Sequence, residues 1–201
     1  MTTFNVERFK SALTNGGARP NQFAVQLSFP TYVAAQSIAV ARAPFLVNIA
    51  ELPGQTVNPA IVQYRGREVK FAGDRIFAPY TITVMNDAEM SIRNGMEQWM
   101  GGMEDNAAKF GRLQPSEYQR DIDVLQLDRN GNILKSYKLV NAFPVDLSPV
   151  ALDFGANDQI SQFTVTFQYQ HFTTSSNPLG GIVDFGGIFR GAAAGGAANA
   201  A

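Results

Sequence analysis

Between Tyr80 and Met100 the spacing of apolar residues changes period once, and that change limits what the middle of the chain can form. Tyr80, Ile82 and Val84 alternate with Thr81, Thr83 and Met85 at the two-residue period of a β-strand. Ile92, Met96, Trp99 and Met100 then recur at helical spacing. Strand therefore gives way to helix at Asn86-Asp87. Asn86 has Glu89 three residues later, and Asp87 brings a carboxylate to the positive end of the helix dipole, so both residues suit an N-terminal cap. A helix with one apolar stripe, fed by an alternating strand, packs on a sheet.

The same periodicities organise the rest. Val6, Phe9 and Leu13 predict a short N-terminal helix, with Gly16-Gly17 available for its C-terminal cap. Phe23, Val25, Leu27 and Phe29 alternate with smaller or polar residues and predict a strand closed by Pro30. Residues 31–50, rich in Ala and Val with Pro44 inside, admit either a second strand with a turn or an elaborated connection. Ile61 to Phe71 reads as a hairpin about Arg65-Gly66. Gly101 to Ser116 is polar, broken by Gly and Pro, and reads as a loop. Ile122 to Leu127 and Ile133 to Val140 are strands joined at Asn130-Gly131, where both residues tolerate positive φ. Gln162 to Phe172 predicts a last strand with Phe163, Val165, Phe167 and Tyr169 on one face and an uncharged polar face opposite. From Ser175 the composition shifts to a Gly- and Ala-rich tail, 175–201, in which burial gains little against the entropy of ordering. It is expected to be disordered alone or to dock on a neighbour, and its Ile182, Val183, Phe185, Ile188 and Phe189 favour docking. The fold class is thus mainly β: an antiparallel β-sandwich or partly closed barrel with one capped amphipathic helix.

Composition closes off several functions. The chain has no cysteine, which excludes disulfides, thiolate zinc sites and cysteine nucleophiles. Its net charge of −1 provides no basic field for holding nucleic acid by counterion release. No apolar run reaches a membrane span, and Met1-Thr2-Thr3-Phe4-Asn5 lacks the regions of a secretory signal, so the expectation is a protein made and folded in the cytoplasm, with no membrane partner.

Reactive constellations are equally sparse, and no catalytic, cofactor or metal site is expected. His171 is the only histidine and sits in strand alternation, with no G-x-S-x-G elbow elsewhere. Asp128 to Asn132 resembles a calcium loop superficially, but its glycine falls at the fourth position and Leu139 stands where a bidentate Glu is required. It reads as a hairpin turn. Glycines never fall in a nucleotide-binding order. Asp121 and Asp123 share one strand face, where a solvated acidic surface accounts for them.

The stretch Ala72-Gly73-Asp74-Arg75, Phe77, Tyr80-Thr81-Ile82-Thr83-Val84-Met85-Asn86-Asp87, followed by a helix, resembles the tail tube proteins of contractile-tailed bacteriophages. Three further pieces agree in order: Ala18-Arg19-Pro20-Asn21-Gln22-Phe23, then Glu51-Leu52-Pro53-Gly54, and last an end segment. That segment contains Ala142-Phe143-Pro144, Leu152-Asp153-Phe154 and Phe163-Thr164-Val165-Thr166-Phe167. The resemblance runs from about residue 16 to 172, which makes 1–174 a tail-tube-like β domain and leaves the 175–201 tail outside it.

The resemblance implies hexameric rings whose subunits complete a larger inner β-barrel, stacked into a tube within a contractile sheath. Such a tube is a structural virion component, assembled in the host cytoplasm, and a conduit for DNA that passes without specific binding. Its implied partners are other copies of itself, the sheath protein, and baseplate and tail terminator proteins. Asp74 and Arg75 become candidates for a subunit contact. Asp121, Asp123, Gln126, Thr164, Thr166 and Gln168 become candidates for the channel wall, since a conduit for DNA is better lined by neutral and acidic groups than by basic ones. Two alternatives are a baseplate tube initiator and the inner tube of a phage-derived injection or secretion particle. A third, of another class, is a monomeric carbohydrate-binding sandwich, which needs exposed aromatics in a groove. Trp99 on the helix stripe argues against it.

Overall fold

The computed structural model describes residues 5–13, 17–34, 36–104 and 114–176. In chain order the elements are α1 (Val6–Ala12), β1 (Phe23–Gln26), α2 (Gln36–Leu46), β2 (Val47–Ala50), β3 (Gln55–Tyr64), β4 (Arg67–Phe77), β5 (Tyr80–Met85), α3 (Ser91–Met103), α4 (Pro115–Tyr118), β6 (Arg120–Leu127), β7 (Ile133–Leu147), β8 (Gln162–Gln168) and β9 (His171–Ser176). The protein is mainly β, and its strands pair antiparallel. Seven of them form one sheet in the order β1-β6-β7-β8-β5-β2, with β9 also on β7, while β3 and β4 pair only with each other. The outermost strands β1 and β2 come close to one another, so the sheet curls toward a barrel.

The long strand β7 makes that curl possible. Its first part pairs with β6 and β9, and its last part, from Phe143, pairs with β8. Between them Asn141 adopts φ 57°, a left-handed conformation that inserts an extra residue opposite β6. Side-chain parity flips there: Tyr137 and Leu139 are buried before the bulge, Ala142 after it. The expected last strand is likewise interrupted. Ladder pairing ends at Gln168 and resumes at His171, because the chain must follow β7 around the same bend.

The core face carries Val25, Ile82, Val84, Ile122, Val165 and Phe167, each almost fully buried. α2 and α3 close over it. Ile92, Met96 and Trp99 of the predicted stripe are buried, and the Trp99 ring lies edge-on to Phe29 at 5.5 Å and tilted to Phe167 at 6.2 Å. Trp99 Nε1 donates to the Tyr118 carbonyl at 2.7 Å, which satisfies the one polar atom of the buried ring.

Several boundaries differ from the sequence reading. α3 starts at Ser91 rather than at Asn86-Asp87, because Met90 takes a left-handed φ of 50° and ends a turn closed by its N–H on the Asp87 carbonyl. Asp87 nevertheless caps the helix. Its carboxylate accepts the Ser91 N–H at 2.8 Å and the Ser91 hydroxyl at 2.7 Å, and it pairs with Arg42 of α2. Asn86 instead donates its side-chain amide to Ser161 Oγ at 2.9 Å. α3 also runs through Gly101 and Gly102, expected as loop. The Tyr32 ring lies against the helix there, and a Cβ on Gly102 would come within 2.1 Å of it. Tyr32 Oη donates to the Trp99 carbonyl at 2.8 Å.

Residues 31–50 contain the helix α2 and the short strand β2. α2 has no clean stripe because it contributes alanines, Ala39 and Ala43, to a tight contact; Gly95 of α3 faces Ala39. β1 ends at Gln26, with Leu27 and Phe29 buried beyond it. In the β6–β7 turn only Gly131, at φ 79°, uses the left-handed region. The Gly131 N–H reaches the Asp128 carbonyl at 2.9 Å. α1 forms as expected but ends on Leu13; Gly16 and the tail from residue 177 lie outside the described residues.

Candidate assembly interface

The feature least consistent with a solitary subunit is the hairpin β3–β4. Arg65 and Gly66 both have positive φ, 49° and 78°, as a two-residue turn matched to strand twist requires. The hairpin is longer than the Ile61 to Phe71 expected, and every residue along it is exposed until the half-buried Phe77. Val57, Ile61, Val62, Val69, Phe71 and Ile76 all face solvent. An isolated two-stranded hairpin is marginal in water, and contiguous exposed apolar surface marks a site of association. At the root, Phe77 packs against Phe172 at 5.5 Å and Tyr169 at 6.0 Å, anchoring the arm to the sheet. Below it the Tyr80 and Tyr169 hydroxyls are buried with no partner among the described residues. Burial, reinforced by Glu51 and Tyr169, raises the Tyr80 pKa, so that hydroxyl stays neutral.

Gly73 sits where β3 and β4 shift register, and a Cβ there would approach the Asn58 carbonyl to 2.5 Å. This accounts for the glycine before Asp74-Arg75. Both charged residues lie within β4, exposed rather than in a loop, and neither forms an ion pair with a described residue.

The channel-wall candidates separate by strand parity. Asp121 and Asp123 lie on the face of β6 opposite the core residues Ile122 and Val124. Thr164, Thr166 and Gln168 lie on the corresponding face of β8, opposite Phe163, Val165 and Phe167. Thr166 contacts Thr81 of β5, with 3.2 Å between hydroxyl oxygens. These residues share the outer face of the sheet. Gln126 does not: it has the parity of Val124, and its amide donates to the carbonyls of Arg19 at 2.8 Å and Gln22 at 2.9 Å, tying the segment before β1 to β6.

On the outer face Lys138 Nζ lies 2.9 Å from the Asp121 carboxylate. Burial pushes the Asp121 pKa up, but the Asn141 N–H and Lys138, with His171 nearby, more than reverse this and hold it below the ordinary carboxylate range. Asp123 behaves oppositely. Burial raises its pKa, Lys138 opposes and Asp121 adds to the rise. Two carboxylates on one face therefore shift in opposite directions, and sequence alone could not separate them. Sequence reasoning also missed the exposure of the loop after β7, whose Leu152 and Phe154 are among the most exposed apolar residues described. A signal for it was the pair Leu152 and Phe154 flanking Asp153 between polar and small residues.

A family model described as phage tail tube protein matches residues 18–175. The chain is 33% identical over 166 residues to the tail tube protein of Serratia phage KSP90, covering 82% of this chain and 93% of that protein. It is 27% identical over 156 residues to the tail tube protein gp19 of Enterobacteria phage T4, covering 77% and 90% respectively. Among solved structures it resembles a chain of the six-fold symmetrised anti-feeding prophage baseplate, with a TM-score of 0.56, 15% identity, and 81% of this chain and 97% of that chain covered. That last likeness is one of fold.

Proposed function

The chain belongs to the phage tail tube protein family, and from that premise we propose that it forms the inner tube of a contractile tail, as stacked hexameric rings through which DNA is ejected. Its role is structural. It is a component of the virion tail, assembled in the host cytoplasm, with the sheath outside it and baseplate and terminator proteins at its ends. The observation that carries this reading is the β3–β4 arm: apolar on an exposed surface, anchored at one end, and otherwise uncovered by the described residues of its own subunit. A neighbour in the assembly supplies the missing surface. Asp74 and Arg75, which form no ion pair with a described residue, lie on the same arm and would make charge-assisted contacts across that interface. The outer face bearing Asp121, Asp123, Thr164, Thr166 and Gln168 is assigned to the channel, where acidic and neutral groups do not hold phosphates.

The test is a variant that leaves the subunit intact. Ile61→Asp combined with Phe71→Asp alters exposed positions on the arm. Thermal melting of the unassembled subunit should be unchanged, while negative-stain microscopy should show no tubes. Tubes formed as readily as by the wild type would overturn the assignment of the arm to assembly.

A further inference from the structure

Two further apolar surfaces have no partner among the described residues, and they complement each other. The first is α1. Val6, Phe9 and Leu13 line one side of it, all exposed, and no residue of the helix is buried. Helices much shorter than about 12 residues are marginal in water without tertiary support, and α1 has seven residues. Its Asn5 cap, accepting the Glu7 N–H at 3.4 Å, is slender compensation. Lys10 flanks the apolar stripe, four residues after Val6.

The second surface is the loop between β7 and β8. Its ends are fixed: the Ser148 N–H donates to the Thr164 carbonyl at 2.9 Å, and the Ser161 carbonyl accepts the Asn86 N–H at 2.9 Å. Between these anchors Val150, Leu152, Phe154 and Ile160, together with Met85 at the end of β5, wall an open groove of about 1020 Å³. Phe154 is fully exposed, at 106%. The charged residues lining the groove are both acidic, Asp153 and Asp158, and neither forms an ion pair with a described residue.

We infer that α1 of one copy seats its Val6–Phe9–Leu13 stripe in the β7–β8 loop groove of the next copy, with Lys10 facing the Asp153 and Asp158 rim. Complementary charge selects this occupant, and the apolar stripe supplies the buried area. Because donor and acceptor surfaces differ, the contact is head-to-tail. Contacts of that kind propagate into rings or filaments rather than stopping at a dimer. The inference rests on the tube reading above and adds a second, separate contact to the arm.

The absence of native cysteine makes a direct test possible. Full-length Phe9→Cys and Phe154→Cys subunits are mixed, assembled and treated with a short bismaleimide. A covalent dimer should form in the mixture, and neither variant alone should give it. Tubes without that dimer overturn the docking and leave the tube reading standing. An internal link in the Phe9→Cys/Phe154→Cys double variant, with no dimer in the mixture, also overturns it by placing α1 on its own groove. Neither tubes nor dimer overturns both. Independently, Phe9→Asp and Phe154→Asp should each raise the critical concentration for assembly about tenfold. Combined, they should cost little more than either alone, since both remove one contact. Fully additive effects would contradict the pairing.

Discussion

The Asp121 carboxylate on β6 accepts a hydrogen bond from the backbone N–H of Asn141 on β7 at 3.1 Å, across the bulge where β7 turns from one set of partners to the other. An acidic side chain expected to be a solvated surface charge thus satisfies the backbone at the bend that shapes the sheet. Asp121→Ala should lower the unfolding free energy of the unassembled subunit by about 1 kcal/mol, and Asp121→Asn by less, because the amide oxygen still accepts. The folded pKa is depressed, so the contribution is full above the unfolded value of about 4 and is lost as pH falls through the folded value. Urea melts at neutral pH and near pH 3 should show the wild type and Asp121→Ala converging in acid.

Trp99 fills the space between the helices and the sheet with no exposed area. Trp99→Ala should cost about 3–5 kcal/mol. Trp99→Phe should cost less but leave the Tyr118 carbonyl without the indole donor. Guanidinium melts of the unassembled subunit check both. If Trp99→Ala folds normally and only sheath attachment fails, the ring is not a core residue in solution.

Asp87 joins two helices, capping α3 through Ser91 while pairing with Arg42 of α2. Asp87→Ala should destabilise the subunit by about 1–2 kcal/mol, the range for loss of a side-chain cap. Burial favours the protonated acid, but the Ser91 and Arg42 hydrogen bonds win and lower its pKa, so this contribution too is present at neutral pH and fades on acidification. Circular dichroism melts across pH 3 to 7 measure it.

How much of this was legible depends on where each side chain's partner lies. β5 and the first half of β7 announce themselves because one face is core and the other solvent, which writes a two-residue period into the sequence; β6 alternates only through Ile122 and Val124, since Leu125 and Leu127 are buried with Ala24 on its other face. α3 is legible for the same reason, with Ile92, Met96 and Trp99 facing one sheet. α2 was not, because its buried residues are Ala39, which faces Gly95, and Ala43, where small size rather than hydrophobic spacing carries the information. The bulge at Asn141 was invisible: its stabilising partner, Asp121, is distant in sequence. Strand parity puts Asp121 and Asp123 on one face of β6 and Gln126 on the other, with Ile122 and Val124; what it could not reveal is that Gln126 bonds to Arg19 and Gln22.

If the outer face lines the channel, its charge governs passage. Asp121 is unsuitable for testing this, since its loss disturbs the bulge. Asp123→Lys together with Thr166→Lys would add cations around the channel in every ring. Each raises a salt-dependent attraction for phosphate. DNA ejection from otherwise normal particles should slow at low ionic strength and recover as salt rises. Unchanged ejection would remove these residues from the channel wall.

The exposed arm and curled sheet belong to a subunit completed by its neighbours. Class averages of the purified full-length protein by negative-stain microscopy, with sedimentation velocity on the same sample, test it most directly. Rings or tubes with six-fold symmetry are expected, with a hexamer or larger polymer in solution. A monomer that persists at high concentration, and stays monomeric with sheath and baseplate proteins present, would contradict it.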